Sequence, residues 1–167
     1  MLKVADALKH PGQSYPFTAD AVIDEMEVLG DPVVFSDIAV HGEYVGSGDT
    51  VSLEAVATAT VVTRCARCLE TVRFPITAEI HAEYSRKPDP EDPDQYCFET
   101  SELDLTDAIR DALLLELPLQ NLCSENCRGL CPQCGVNLNS DSCACRKEER
   151  ENPFSVLQSI VDYDEEV

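Results

Sequence analysis

The segment TVRFPITAEIHAEY, Thr71–Tyr84, decides the fold class. Val72, Phe74, Ile76, Ala78, Ile80, Ala82 and Tyr84 are apolar, and Thr71, Arg73, Thr77, Glu79, His81 and Glu83 alternate with them. A period of two sends one set of side chains to a core and the other to water, the pattern of a half-buried β-strand. Pro75 falls on the solvent side and predicts a sheet edge, where a missing N–H breaks no ladder bond. Upstream, SLEAVATATVVT (52–63) is small and β-branched and reads as a second strand. DPVVFSDIAVHGEYV (31–45) reads as a third, closed by the turn GSGD (46–49). Strand character runs over residues 20–84 with short connections, which predicts an antiparallel sheet.

Downstream, SRKPDPEDPDQYCFETSE (85–102) is proline-rich and acidic and reads as a solvated loop. From Pro88 to Glu116 ten acids stand against the single Arg110. DLTDAIRDALLLELP then predicts a helix, with Asp104 as its cap and Asp107 in the first turn, where carboxylates suit the helix dipole. Leu105, Ala108, Ile109, Ala112 and Leu113 form its apolar stripe, and Pro118 stops it. At the other end of the cysteine-rich segment, Asn152 and Pro153 mark a second helix start, with Phe154, Leu157, Ile160 and Val161 on one face. The expected fold class is α+β: an antiparallel β-sheet with an amphipathic helix, a Cys-rich zinc-binding module and a C-terminal helix. Residues 1–118 form the β-rich body with one helix, 119–150 the zinc-binding module, and 151–167 the C-terminal helix and acidic tail.

Among 167 residues, 12 basic side chains face 32 acidic ones, a formal charge of −20. Such a field repels nucleic acid and anionic membrane and attracts basic proteins. The opening MLKVADALKHPGQSYPF lacks the apolar core of a secretory signal, and the longest apolar run, ALLL at 112–115, is far too short for a membrane span. The expectation is a cytoplasmic protein without a membrane partner. In that reducing compartment clustered cysteines read as metal ligands rather than disulfides, and the odd count of nine fits a disulfide framework poorly.

Six of the nine cysteines lie in CSENCRGLCPQCGVNLNSDSCAC, residues 123–145. CPQCG has the features of a zinc knuckle: Pro132 stiffens the turn, and Gly135 takes the positive φ that lets backbone N–H groups point at sulfur. The earlier pair, Cys65 and Cys68 in RCARCLE, sits between two strands, hence at a hairpin tip. The eight thiols Cys65, Cys68, Cys123, Cys127, Cys131, Cys134, Cys143 and Cys145 suffice for two zinc ions. Two groupings are open. In the favoured one Cys131, Cys134, Cys143 and Cys145 close locally, at small loop-closure cost, while Cys123 and Cys127 complete the site begun at the tip. In the other, Cys123, Cys127, Cys131 and Cys134 share one ion and Cys65, Cys68, Cys143 and Cys145 the second. Either way a closed four-sulfur site leaves no position for substrate, so its role is structural. Cys97 is left as an ordinary thiol.

Basic residues crowd these thiols: Arg64, Arg67 and Arg73 beside the first pair, Arg128, Arg146, Lys147 and Arg150 beside the rest. They offset thiolate charge, and Arg64, Arg67, Arg128, Arg146 and Lys147 are also the candidate contacts to RNA phosphate. No catalytic residue is identified. CPQC has the spacing of a redox motif but lacks the strand-to-helix setting that a thioredoxin-like site requires. The histidines, His10, His41 and His81, stand in no catalytic spacing, and no phosphate-binding glycine loop or serine nucleophile motif is present. A small-molecule substrate is not expected.

CARCLE after a strand-rich half, then LDLTDAIRDALLLELPL, CRGLCPQCGVNLN and NPFSVL, resembles the YceD family from about residue 20 onward. Bacterial members of that family are described as large ribosomal RNA subunit accumulation proteins, and plastid relatives are credited with the same role. The resemblance implies a cytoplasmic, non-enzymatic factor for large-subunit rRNA accumulation and ribosome biogenesis. Its partner is then large-subunit rRNA or a basic ribosomal protein, the latter held by an acidic, chaperone-like escort. A thiol redox protein is the reading from the enzyme class. Some family members keep little beyond the first C-x-x-C, so the second cluster is an elaboration.

Overall fold

The structure is a computed structural model that describes residues 1–87 and 95–145. The helix expected within 151–167, the basic residues Arg146, Lys147 and Arg150, and the middle of the acidic segment lie outside the described residues. The chain divides into two compact units, Met1–Gly129 and Leu130–Val167.

In the first unit the elements run β1 (Leu2–Lys3), α1 (Ala5–Lys9), β2 (Ser14–Ala21), β3 (Met26–Val28), β4 (Asp31–Ser47), β5 (Thr50–Arg64), β6 (Thr71–Ser85), β7 (Tyr96–Cys97), β8 (Glu102–Leu103) and α2 (Thr106–Leu115). The main sheet has the order β2-β4-β5-β6-β7, with β3 paired to β4 beside it. Every pairing is antiparallel except β6 with β7, which is parallel and touches only Tyr84 and Ser85. β5 is the centre of the sheet, paired with β6 along its whole length and with β4 between Thr50 and Val62.

Alternation builds the core. Val51, Leu53, Ala55, Ala57, Ala59 and Val61 of β5 are buried, as are Val72, Ile76, Ala78, Ile80, Ala82 and Tyr84 of β6. Thr77, Glu79, His81 and Glu83 face water from the opposite side. An antiparallel sheet tolerates one wet face, and this one is acidic. Pro75 is exposed and lies on the outer side of β6, where no described strand pairs with it.

β4 departs from simple alternation. Val33 and Phe35 are buried at odd positions, then Ile38, Val40 and Tyr44 at even ones. The switch is a bulge: the register against β5 shifts between Ser36 and Ala39, and Asp37 takes φ 54°. One extra residue turns the rest of the strand over and keeps its apolar side chains on the core.

Two helices cover the buried face. α2 packs on β6 and β5 and buries Ala108, Ile109 and Leu113, three of the five stripe residues, with Leu105 buried just ahead of it. The expected cap is displaced by one residue. Asp104 does accept hydrogen bonds from the Thr106 N–H (3.0 Å) and hydroxyl (2.6 Å), but the helix starts at Thr106, so Leu105 holds the N-cap position. α1, unread in the sequence, sits on β4. Gly46 admits it: a Cβ there would stand 2.4 Å from the Ala7 carbonyl oxygen.

The segment 85–102 is only partly the loop its composition predicted. Tyr96 stacks on Tyr84 with ring centroids 5.2 Å apart, Phe98 is buried beneath the Arg86 guanidinium, and Leu103 is fully buried. Glu102 and Leu103 pair with Leu2 and Lys3 as β8 and β1. Three large apolar residues anchor a chain that is otherwise acidic, and burial outweighs composition at those positions.

β5 and β6 meet at Cys65–Glu70. There the Cys65 N–H donates to the Glu70 carbonyl (2.8 Å) and the Leu69 N–H to the Cys65 carbonyl (2.9 Å). The second unit repeats this frame. The Cys131 N–H donates to the Val136 carbonyl (2.8 Å), the Gly135 N–H to the Cys131 carbonyl (2.8 Å), and Leu130 bridges Asn137. The residue after the second cysteine takes positive φ in both turns, 61° at Leu69 and 73° at Gly135.

These close fits give measurable consequences. A Cβ at Gly42 would stand 2.2 Å from the Glu54 carbonyl oxygen in the middle of the sheet. Gly42→Ala therefore lowers unfolding free energy by about 3 kcal/mol, and Gly46→Ala by about 1–2, because a short helix yields more readily than a paired strand. Urea denaturation compares them; equal losses would mean that α1 is as firmly held as the sheet. Leu69 is 56% exposed at a left-handed position. Leu69→Gly leaves the first unit as stable as before or stabilises it by up to about 1 kcal/mol in the same measurement.

Candidate metal centre

Four sulfurs meet at the tip of the β5–β6 hairpin. The turn frame presents Cys65 and Cys68 on one side, and the segment after α2 brings Cys123 and Cys127 against them. Cys65 Sγ lies 3.8 Å from Cys127 Sγ, and Cys68 Sγ 3.6 Å from Cys123 Sγ. All four sulfurs fall within 4.8 Å of one another. Thiolates held tetrahedrally about 2.3 Å from a zinc-sized ion stand about 3.8 Å apart, and the two close sulfur pairs here match that spacing. Cys65, Cys68 and Cys127 are buried and Cys123 is exposed.

The second unit holds the other set. Cys131, Cys134, Cys143 and Cys145 also have sulfurs within 4.8 Å of one another. Here only Cys131 is buried; Cys134 and Cys145 are exposed. The structure thus assembles the grouping in which the knuckle closes on itself and the hairpin tip joins Cys123 and Cys127. Cys97 stands apart, exposed on β7.

Backbone dipoles prepare both turns for thiolate. Burial opposes ionisation of Cys65, but N–H groups of Cys68, Arg67 and Cys123 outweigh it and hold the thiol down to about 6. The Cys123 N–H is 3.4 Å from that sulfur. Cys131 is likewise held down to about 6, by the N–H groups of Cys134 and Gln133. Once one sulfur of a set is negative its neighbours resist ionising. Cys68 is favoured by the Glu70 N–H, yet burial and three adjacent thiols push it up to about 12. Cys145 is pushed up to about 12 by Cys134 above all. A divalent cation removes that conflict by neutralising the set, which is the electrostatic case for a metal here.

The segment after α2 is held at the tip by more than sulfur. The Ala66 N–H donates to the Asn121 carbonyl (2.8 Å). Arg67 extends a guanidinium nitrogen to the carbonyls of Cys127 (3.0 Å) and Glu125 (3.4 Å). Arg67 therefore spends hydrogen-bonding capacity on the fold, whereas Arg64 and Arg73 are exposed around the same tip. Gly129 ends the segment at φ 73°, where a Cβ would lie 2.9 Å from the Arg67 carbonyl oxygen. Neither Asn121 nor Gly129 was read as part of the site. The glycine inside CRGLC was the available signal for the second; Asn121 acts through its backbone and leaves none.

The family model for "Large ribosomal RNA subunit accumulation protein YceD" matches residues 53–161, a span holding all eight clustered cysteines. The Bacillus subtilis protein YlbN is 26% identical over 161 residues, 93% of each chain. An uncharacterized protein of Mycobacterium tuberculosis is 34% identical over 116 residues, 63% of this chain and 52% of its own length. A chloroplastic protein of Arabidopsis thaliana named as a YCED homolog for large ribosomal RNA subunit accumulation is 36% identical over 62 residues, 37% of this chain. The match spans only 19% of that plastid protein and about half of the mycobacterial one. No solved structure matches the chain. The family match covers well over half of the residues, and by it the chain belongs to the YceD family.

Proposed function

We propose that this protein is a non-enzymatic binding factor for biogenesis of the large ribosomal subunit, required for large-subunit rRNA to accumulate, and that two zinc ions hold its shape. The observation that carries this reading is the pair of closed four-thiol sets in a member of a family named for that role. Four thiolates complete the coordination of zinc, so each ion would supply cross-linking and charge neutralisation, with no position left for a substrate. Cys65 and Cys68 would fix the hairpin tip, and Cys123 and Cys127 would fasten the segment after α2 to it. Arg64 and Arg73, exposed beside the tip, are the described basic residues best placed to meet an RNA phosphate; Arg128 accompanies them. The charge of −20 favours a second reading, an acidic escort of a basic ribosomal protein in the cytoplasm.

Elemental analysis of protein purified under reducing conditions should find two zinc per chain. Cys65→Ser and Cys131→Ser should each leave one ion, their combination none, and Cys97→Ser two; iron in place of zinc, or free thiols without metal, overturns the zinc assignment. Gly129→Ala touches no sulfur but forces the segment off Arg67. It should speed zinc transfer to a chromophoric chelator from the first set, by about tenfold for each 1.4 kcal/mol of strain, and leave the second unchanged. In cells depleted of the protein, the ratio of large- to small-subunit rRNA should fall and be restored by the natural chain but not by Cys65→Ser. An unchanged ratio on depletion removes the biogenesis role. Binding to large-subunit rRNA that weakens with salt and with Arg64→Ala would favour direct RNA contact over the escort.

A further inference from the structure

Among the described residues the outer edge of β6 is open over most of its length. Among the described residues only Tyr84 and Ser85 pair with β7, and no strand lies against Thr71 to Glu83. The direction of the unpaired groups follows from two hydrogen bonds. Ser85 accepts from the Phe98 N–H on the outer side (3.2 Å), while the Arg86 N–H donates inward to the Asp49 carbonyl (3.0 Å). Successive residues of an extended strand turn their backbone groups to opposite sides. Glu83, His81, Glu79 and Thr77 therefore aim N–H and C=O outward, and so does Pro75, whose missing N–H breaks no ladder bond.

Beside this edge runs a groove of about 720 Å³, floored by β6 and walled by α2, with Glu79, His81, Tyr96, Asp111, Ala112 and Leu115 in its lining. Leu115 is 86% exposed although it ends the helix that seals the core. The groove is an apolar seat next to a row of unsatisfied backbone donors and acceptors, the two things strand addition uses. β7 already performs this pairing in miniature, as a parallel strand two residues long.

Charge selects the occupant. Glu79 and Asp111 are among the lining residues, Asp111 already paired with Arg110 (3.0 Å), and Glu83 follows Glu79 on the wet side of the same edge, in a chain of net charge −20. An RNA backbone is repelled here, and an extended basic polypeptide is drawn in.

We propose that the groove between the free edge of β6 and α2 binds an extended, lysine- or arginine-rich segment of a partner protein by strand addition. Alternate side chains of the segment rest on Ala112 and Leu115, and the others reach Glu79 and Glu83. The proposal deepens the escort reading and rests on it for the source of the partner; the groove itself is tested without that source.

The test is fluorescence anisotropy with the full chain and a short labelled peptide in which lysine alternates with valine and threonine. Three comparisons accompany it: the peptide with glutamate for lysine, the peptide N-methylated at every second residue, and the variant Glu79→Pro. Proline at 79 removes an outward N–H, as Pro75 does, so the β5–β6 ladder and the thermal midpoint should be kept. Strand addition predicts saturable binding of the basic peptide, none of the acidic one, and about a tenfold or greater loss on N-methylation and in Glu79→Pro, the effect of losing one or two main-chain hydrogen bonds. Should Glu79→Pro fail to fold, the N-methylated peptide against the natural chain decides alone. Undiminished binding of the N-methylated peptide means attraction by charge only and overturns the proposal. So does absence of binding, or displacement of the peptide by a single-stranded RNA oligonucleotide. A chain that binds no peptide yet sustains large-subunit rRNA in cells loses the groove and keeps the biogenesis role; the converse result separates them the other way.

Discussion

Sulfurs from residues 62 apart, Cys65 and Cys127, stand 3.8 Å from one another, and much of the first unit depends on that junction. The β5–β6 hairpin is the longest in the sheet and would otherwise end in a free tip. Gathering four thiols there fixes the tip and returns the chain to it after α2 has crossed the sheet. The helix is thus held at both ends: by Asp104 and Leu105 where it begins, and by the segment fastened at Asn121–Cys127 where the chain leaves it. Sheet, helix and cysteine set support one another, while Gly42 lets β4 lie close on β5 and Gly46 admits α1.

That arrangement divides the surface by charge. The wet face of the sheet and the α2 side carry carboxylates, while arginines gather at the hairpin tip beside the thiols. Part of that basicity answers the local negative charge of thiolate, and Arg67 shows it doing structural duty through carbonyl contacts. A protein with a net charge of −20 thereby keeps one small region where an anion can approach and another where a cation is welcome.

Much of this was legible in the residues. Period-two alternation located β6, small and β-branched composition located β5, Pro75 marked the sheet edge, and the C-x-x-C between two strands fell at a hairpin tip. Gly135 was assigned positive φ from CPQCG alone. What escaped was set by tertiary packing. The bulge at Asp37 hides because its two half-strands each alternate correctly but out of phase. α1 is five residues long, and no helix of that length is stable without the Gly46 surface beneath it. In the acidic segment Tyr96, Phe98 and Leu103 were outvoted by their neighbours in composition, although apolar burial decided their place. The grouping of the thiols could be ranked from loop closure, yet only the fold brings Cys123 and Cys127 to the tip. The groove beside α2 has no sequence signature, because it exists only where β7 stops.

The two cysteine sets differ in one respect that matters while the protein is being made. Cys131 to Cys145 leave the ribosome within fifteen residues, so their thiols are together in about a second or two of synthesis. Cys65 and Cys68 emerge long before their partners. With Cys127 following 62 residues after Cys65, the tip waits on the order of several seconds as a half-complete pair. During that interval the turn holds two thiols whose partners have yet to be made. The order of synthesis thus makes the first set depend on β6 and α2 being laid down before its four sulfurs can meet, while the second needs only its own fifteen residues.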